Sequence, residues 1–173
     1  RYAQQSLAIR TELGDVWGQG QSHHYHSVVK LAECRFQDAI GSAMQAVELL
    51  RKMGDLGEMN MARYQAANAH YRIGNFREAT EIAKQMFYCG REIGDLQATG
   101  ISLDVWARTS PNSLSLEIVA DEAAKSRPDA QSHAQTQLAY AVILLHRDRV
   151  KEAIDVLRAA IGRSEAAGHL NTY

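Results

Sequence analysis

A Gly-Asp pair recurs at a fixed spacing, and this recurrence limits what the chain can fold into more than any other feature of its sequence. The pair stands at Gly14-Asp15, Gly54-Asp55 and Gly94-Asp95, so the spacing is 40 residues both times. Internal repetition with a period of about 20–50 residues is typical of solenoids and repeat arrays. The sequence therefore predicts a row of similar structural units.

The repeat sets the boundaries of the predicted units. A fourth copy appears when residues 150–154 (VKEAI) are aligned with residues 76–80 (FREAT), an offset of 74 that places Pro128-Asp129 on Gly54-Asp55. The predicted units are 14–53, 54–93, 94–127 and 128–167. Residues 1–13 are expected to be the second helix of a preceding pair, and residues 168–173 the start of a further helix. We therefore expect a single repeat domain, 1–173, that is a piece of a longer protein.

Each unit contains the pattern of two helices. Residues 56–73 carry apolar or small side chains at Met59, Ala62, Ala66 and Ala69, a spacing that places them on one face of an α-helix. Residues 76–93 show the same kind of spacing. Between these segments, Gly74-Asn75 provides a residue that can end one helix and a residue that can begin the next. The sequence therefore predicts an all-α protein made of antiparallel helix pairs.

The Gly-Asp pair has a structural explanation at every copy. A glycine after the last helical residue adopts the left-handed conformation without a Cβ clash, and the aspartate then accepts hydrogen bonds from the first N–H groups of the next helix. A phosphate-binding loop requires further glycines, as in GxGxxG or GxxxxGK[ST], and the sequence contains neither motif. We interpret the pair as a helix stop followed by a helix cap.

The residues of the second unit match a known repeat. Ala67, Gly74, Phe76 and Glu78-Ala79 within a helix-turn-helix unit resemble the tetratricopeptide repeat (TPR), and 40-residue units separated by Gly-Asp are similar to its long variant. That variant occurs in spindle-orientation scaffolds and in bacterial signalling ATPases and transcription regulators. The third unit departs from the pattern, because it lacks the Gly-x-Phe turn and its Pro111 stops the first helix early. The resemblance implies a right-handed α-solenoid of antiparallel helix pairs.

The resemblance also implies where a partner binds. In such repeats the first helices of the pairs line a concave groove, and the groove positions carry over to twelve residues of this sequence. They are Met61, Tyr64, Asn68, Tyr71 and Arg72 in the second unit, and His24, Val28, Asp104, Arg108, Leu138, Val142 and His146 in the other units. Asn68 can donate to and accept from a peptide backbone, and Arg72 can bind a carboxylate with two hydrogen bonds. We expect these side chains to hold a peptide or a partner segment.

No arrangement in the sequence predicts catalysis, a metal site or a cofactor. His23, His24 and His26 are close together, but two imidazoles one helical turn apart rarely hold zinc without a third ligand. The sequence has no GxSxG nucleophile motif and no evident pair of carboxylates. Its two cysteines, Cys34 and Cys89, have no CxxC partner. We therefore expect a protein that is not an enzyme and that uses no cofactor.

Composition narrows the class of partner. Nineteen basic and twenty acidic side chains give a net charge of −1, and no cluster of Lys and Arg of the kind that binds nucleic acid occurs in the sequence. Apolar runs such as residues 139–145 (AYAVILL) are much shorter than the roughly 20 residues that cross a bilayer. The two cysteines indicate no disulfide framework. We expect a cytoplasmic protein that binds neither nucleic acid nor membrane.

Two functions fit these observations. The first is a scaffold-like interaction module whose groove takes a peptide or a partner segment. The second is a regulatory or spacer segment of a large bacterial signalling ATPase or transcription regulator, in which the same side chains are solvated or pack against a neighbouring domain. Flanking sequence that encodes a nucleotide-binding domain or a DNA-binding helix-turn-helix would favour the second. The ends of such a truncated solenoid could also mediate self-association.

Overall fold

The computed structural model of the chain describes residues 2–166 and Gly168. Within these residues the backbone forms nine α-helices, one short 3-10 turn and no strand. This confirms the all-α class and the number of helices that the sequence predicts. The predicted start of a further helix at 168–173 lies outside the described residues, except for Gly168. The chain divides into two compact units, unit 1 up to Ile82 and unit 2 from Ala83 onward.

Unit 1 is built from consecutive helices that pack on their neighbours. It contains α1 (Tyr2–Glu12), α2 (Val16–Ala32), α3 (Phe36–Lys52), α4 (Leu56–Arg72) and the first turns of α5 (Phe76–Ile93). Helix α3 packs on both α2 and α4, and α1 packs on α2. Alanines such as Ala39, Ala43, Ala66 and Ala67 are fully buried. Because their side chains are small, the helix backbones can approach closely, and larger residues such as Leu50 fill the remaining space.

Unit 2 contains the rest of α5 and four further helices. They are α6 (Leu96–Thr109), α7 (Leu116–Lys125), α8 (Ala130–His146) and α9 (Val150–Ala166), and a 3-10 turn, Pro111–Ser113, follows α6. Its core includes Phe87, Leu103, Leu114, Val119 and Ile143, none of which exposes any surface. The second helices α7 and α9 both pack on α8, which makes α8 the central helix of the unit.

The third repeat differs from the helix pair that the sequence predicts. Helix α6 packs extensively on α8 and contacts α7 only slightly. As predicted from Pro111, α6 ends early, at Thr109, and the chain continues into the 3-10 turn. The indole Nε1 of Trp106 donates to Ser113 Oγ over 2.8 Å, and this bond holds the turn against α6. The short α7 packs on α8, the first helix of the next repeat.

The helix-cap interpretation of the Gly-Asp pair is confirmed at its three copies. Gly14, Gly54 and Gly94 have φ angles of 67°, 73° and 72°. The following aspartates accept a hydrogen bond from the backbone N–H three residues later, over 2.8 Å at Asp15, 3.0 Å at Asp55 and 2.9 Å at Asp95. Asp129, which follows Pro128, caps α8 in the same way through the N–H of Ser132. The pairs therefore shape the backbone between repeats.

The turn inside each regular repeat also contains a left-handed residue, although its identity varies. Cys34, Gly74 and Asp148 occupy equivalent positions in the first, second and fourth units, with φ angles of 59°, 80° and 59°. Only one of the three is glycine, so the left-handed conformation is the same in these turns although the residue type differs. A search for glycine alone would miss two of these turns.

We expect Gly94→Val to lower the free energy of unfolding by about 1 kcal/mol or more, because a β-branched residue resists a positive φ. A Cβ at Gly94 would meet no atom within 4 Å, so the loss would report backbone strain and not a clash. Gly94→Asn is the matched control, since asparagine tolerates this conformation better and should lose clearly less. Urea unfolding followed by circular dichroism measures both variants. An unchanged midpoint for the valine variant would contradict the left-handed cap.

Candidate functional site

The predicted binding residues lie on two helix surfaces, one in each unit. In unit 1, α2 packs on α4, and the two helices carry His24, Val28, Met61, Tyr64, Asn68, Tyr71 and Arg72, here called the α2/α4 face. In unit 2, α6 packs on α8, and the two helices carry Asp104, Arg108, Leu138, Val142 and His146, here called the α6/α8 face. Each set is brought together by two first helices of neighbouring repeats. The role of these residues in binding stays a prediction.

Asn68 and Arg72 are hydrogen-bonded to each other on α4. They are four residues apart, so their side chains lie on the same side of the helix, and Arg72 Nε donates to Asn68 Oδ1 over 3.4 Å. Arg72 is exposed and Asn68 is half-buried. Within the described part of the chain, the amide nitrogen of Asn68 and the terminal nitrogens of Arg72 have no hydrogen-bond partner. The two side chains can therefore still donate to a carbonyl or carboxylate oxygen.

An aromatic pair lies at the C-terminal end of α4. The rings of Tyr71 and Phe76 are 5.9 Å apart and tilted by 38°, at the turn where α4 ends and α5 begins. Phe76 is 50% exposed, which makes it an accessible apolar surface at the turn that follows α4. The sequence prediction used Phe76 only as a marker of the repeat and missed it as a surface residue. Its position directly after the Gly74-Asn75 turn was the available clue.

His24 is the predicted site residue whose accessibility differs most from expectation. The sequence predicts that it points toward the groove, but only 8% of its surface is exposed. Its ring stacks on Tyr25 with centroids 5.3 Å apart, and its Nδ1 lies 3.4 Å from Glu58 Oε2 on α4. Contact with the adjacent repeat therefore covers most of the ring and leaves little of it for a partner. Val28, one turn later, is 38% exposed.

On α6, Asp104 and Arg108 form an ion pair with 2.8 Å between Arg108 Nε and Asp104 Oδ1. Burial raises the pKa of Asp104, and the charge and hydrogen bond of Arg108 oppose this shift. The two residues are four apart, like Asn68 and Arg72. Here, however, the carboxylate is already paired with its own guanidinium, so the pair offers a partner less net charge than the α4 donors do.

The α8 part of the α6/α8 face is apolar in its middle and polar at its end. Leu138 and Val142 are half-buried, and His146 is exposed. His146 Nε2 lies 3.1 Å from Asn112 Oδ1 in the 3-10 turn. Because an amide oxygen only accepts, this contact assigns the proton to Nε2. The hydrogen bond connects the end of α8 to the segment that follows α6.

The histidines of α2 contribute to helix packing. The rings of His23 and His26 are 6.3 Å apart and nearly perpendicular. Burial, followed by the nearby His26 and Lys30, lowers the pKa of His23, which favours the neutral ring. In the described residues, no group of three His, Cys, Asp or Glu side chains is placed to hold a metal ion. Likewise, no helix there is long and apolar enough to cross a membrane.

Comparison with solved structures identifies a protein of the same fold. A Podosopora anserina protein described as a kinesin light chain, with nearly identical TPR-like repeats, matches with a TM-score of 0.70 and 17% identity, over 96% of this chain and 85% of that chain. No protein-family model and no curated protein matches this chain. At this identity the match shows the fold alone, and that fold is a TPR-like α-solenoid.

Proposed function

We propose that this chain is a protein-interaction module whose α2/α4 face binds a peptide or a segment of a partner protein. The main support is the pair of available donors on Asn68 and Arg72, and the half-exposed ring of Phe76 at the turn after α4 adds apolar surface. Donors of this kind hold a peptide backbone or a carboxylate, and an exposed ring packs against an apolar side chain. A segment that carries both a carboxylate and an apolar anchor fits these groups.

The hydrogen bond between Asn68 and Arg72 prepares Arg72 for this task. Because Nε donates to Asn68 Oδ1, the guanidinium plane is oriented before a ligand arrives. Its two terminal nitrogens can then bind a carboxylate through parallel hydrogen bonds. Orienting a flexible side chain in advance lowers the entropy lost on binding. Asn68 therefore acts twice, by positioning Arg72 and by offering its amide N–H groups to the partner backbone.

The test is a comparison of Asn68→Ala/Arg72→Ala with wild type. Peptides selected from a displayed random library on the wild-type chain are synthesised, and their affinities are measured by fluorescence anisotropy. We expect the double variant to bind them at least about tenfold more weakly, as loss of central interface residues does. Gln45→Ala/Arg51→Ala is the matched control, since it removes the same two groups from exposed positions on α3.

The outcomes separate binding from misfolding. Both double variants should keep the circular dichroism of the wild type, because all four side chains are at least partly exposed. Equal affinity of wild type and Asn68→Ala/Arg72→Ala for the selected peptides would overturn the proposal for this face. Equal weakening by the α3 control would show that the loss reflects charge alone.

A second candidate is the regulatory or spacer role within a larger signalling protein. It is favoured by polar side chains that satisfy one another inside the chain, namely Asp104 with Arg108 and His146 with Asn112. Surfaces of this kind are suited to permanent packing more than to capture of a ligand. Failure of the library to yield any peptide that depends on Asn68 and Arg72 would favour this second role.

A further inference from the structure

A polar groove lies in unit 2, away from the surfaces already described. It has a volume of about 450 Å³ between α8 and α9, beside the residues that follow α7. Its polar lining consists of Arg127, His133, Gln137, Tyr140, Asp155 and Arg163. His133 and Val142 are nine residues apart on α8, which at about 100° per residue puts them on opposite sides of the helix. The groove is therefore separate from the α6/α8 face.

The floor of the groove is a buried, neutral histidine. His133 is 6% exposed, and its Nδ1 lies 2.9 Å from the carbonyl oxygen of Ala123. A carbonyl only accepts, so Nδ1 carries the proton, and Nε2 accepts from Arg163 Nη1 over 3.2 Å. Burial lowers the pKa of His133, the hydrogen bond to Ala123 opposes this, and Arg163 and Arg127 add to the lowering. His133 thus holds Arg163 in place and adds no charge of its own.

The two arginines of the groove lack a carboxylate partner. Among the described residues, neither Arg127 nor Arg163 has an Asp or Glu within ion-pair distance. Some other arginines of the unit do have such a partner, as Arg91 has with Glu122 and Arg149 with Glu152. Two guanidinium groups lining one groove repel each other when no anion is present. An oxyanion between them would remove that repulsion and accept several hydrogen bonds.

Asp155 on the α9 wall selects among oxyanions. Its carboxylate reduces the net charge of the lining to +1, which a bound carboxylate balances and which a phosphate dianion exceeds by one negative charge. The same carboxylate can accept from an N–H group beside the bound anion. Tyr140 and Gln137 add a hydroxyl and an amide that can also bond to a peptide. A carboxylate attached to a peptide backbone fits these groups better than a free inorganic anion.

We propose that the groove between α8 and α9 binds the carboxylate of an acidic side chain in a partner peptide, held by Arg127 and Arg163. The site would make the chain a receptor for an acidic segment. It does not depend on the α2/α4 face, because no residue is shared between the two.

The test uses the labelled chain and three probes. The blocked tripeptide acetyl-Gly-Glu-Gly-amide, its Gly-Gln-Gly counterpart and sodium phosphate are titrated while the arginine Nε–H signals are followed by NMR. The glutamate peptide should shift the Arg127 and Arg163 signals with saturation, and the glutamine peptide should bind at least about fivefold more weakly. Equal binding of the two peptides, or tighter binding of phosphate, would overturn the proposal.

Variants assign the effect to the groove. Arg127→Gln should weaken the glutamate peptide at least about fivefold, and the chain should remain folded, since the Arg127 side chain makes no hydrogen bond or ion pair with the described residues. Arg158→Gln is the matched control, because it removes one exposed positive charge from α9 outside the groove. Asp155→Asn should improve phosphate binding more than peptide binding. Equal loss in the Arg127 and Arg158 variants would show nonspecific charge attraction and overturn the assignment.

Discussion

Phe87→Ala should destabilise unit 2 by about 3–5 kcal/mol, the range for truncating a buried phenylalanine. Phe87 is the largest fully buried side chain of the chain's described residues. Its ring meets Trp106 edge to face, with centroids 5.9 Å apart at 71°, and the guanidinium of Arg91 lies 5.6 Å above it. Truncation removes all of these contacts together and leaves a cavity that fixed helices cannot fully close.

The neighbouring residue supplies the control for this prediction. Tyr88 is 58% exposed, so Tyr88→Ala should cost less than about 1 kcal/mol. Each unit contains one tryptophan, Trp17 in unit 1 and Trp106 in unit 2. In a Trp17→Phe background, fluorescence during urea unfolding therefore reports unit 2. Similar midpoints for the two alanine variants would contradict the central place of Phe87 in the core.

The repeat architecture could be predicted because its determinants are local. A glycine at positive φ and an aspartate cap act within a few residues, so the pairs at Gly14, Gly54 and Gly94 mark helix ends from sequence alone. The spacing of the buried alanines along each helix is also a local feature of the sequence. These features depend only on residues close together in the sequence, and they are the ones that the structure confirms.

The third repeat could be predicted only in part because its packing depends on distant residues. Pro111 shows where α6 ends, but nothing near it shows that α6 packs on α8. That contact depends on the facing surfaces of both helices, which are far apart in the sequence. The burial of His24 has the same origin, since its neighbour Glu58 is on another helix. The position of a residue in the repeat predicts the side of the helix on which its side chain lies. Its exposure, however, depends on the side chains of the adjacent helix.

The candidate site was predictable as a set of positions and not as a set of contacts. Repeat register placed Asn68 and Arg72 on one side of α4, and their hydrogen bond follows from that spacing. Register did not indicate that Phe76 would be exposed at the turn that follows α4. The groove around His133 is even harder to predict from local sequence, because α8 and most of α9 separate its two arginines in the chain. No role for His133 was predicted from the sequence.

Gly100→Val should destabilise unit 2 by about 3 kcal/mol, at the upper end of the usual cost of overpacking. Gly100 lies on α6 where this helix crosses α8. A Cβ at this position would be 3.0 Å from the backbone oxygen of Ser132 and 3.3 Å from Thr136 Oγ1. The nearer atom belongs to the backbone of α8, so a side-chain rotation cannot relieve the contact. Valine would therefore force α6 away from the central helix of the unit.

The same substitution at an open position separates this clash from helix propensity. Gly162 lies on α9, is exposed, and a Cβ there would meet no atom within 4 Å. Gly162→Val should be neutral or stabilising by a few tenths of a kcal/mol, because valine is a somewhat better helix former than glycine. Urea unfolding monitored by Trp106 compares the two variants directly. If Gly100→Val unfolds at the same midpoint as Gly162→Val, the α6–α8 contact does not require a glycine, and the third repeat is held by its other contacts.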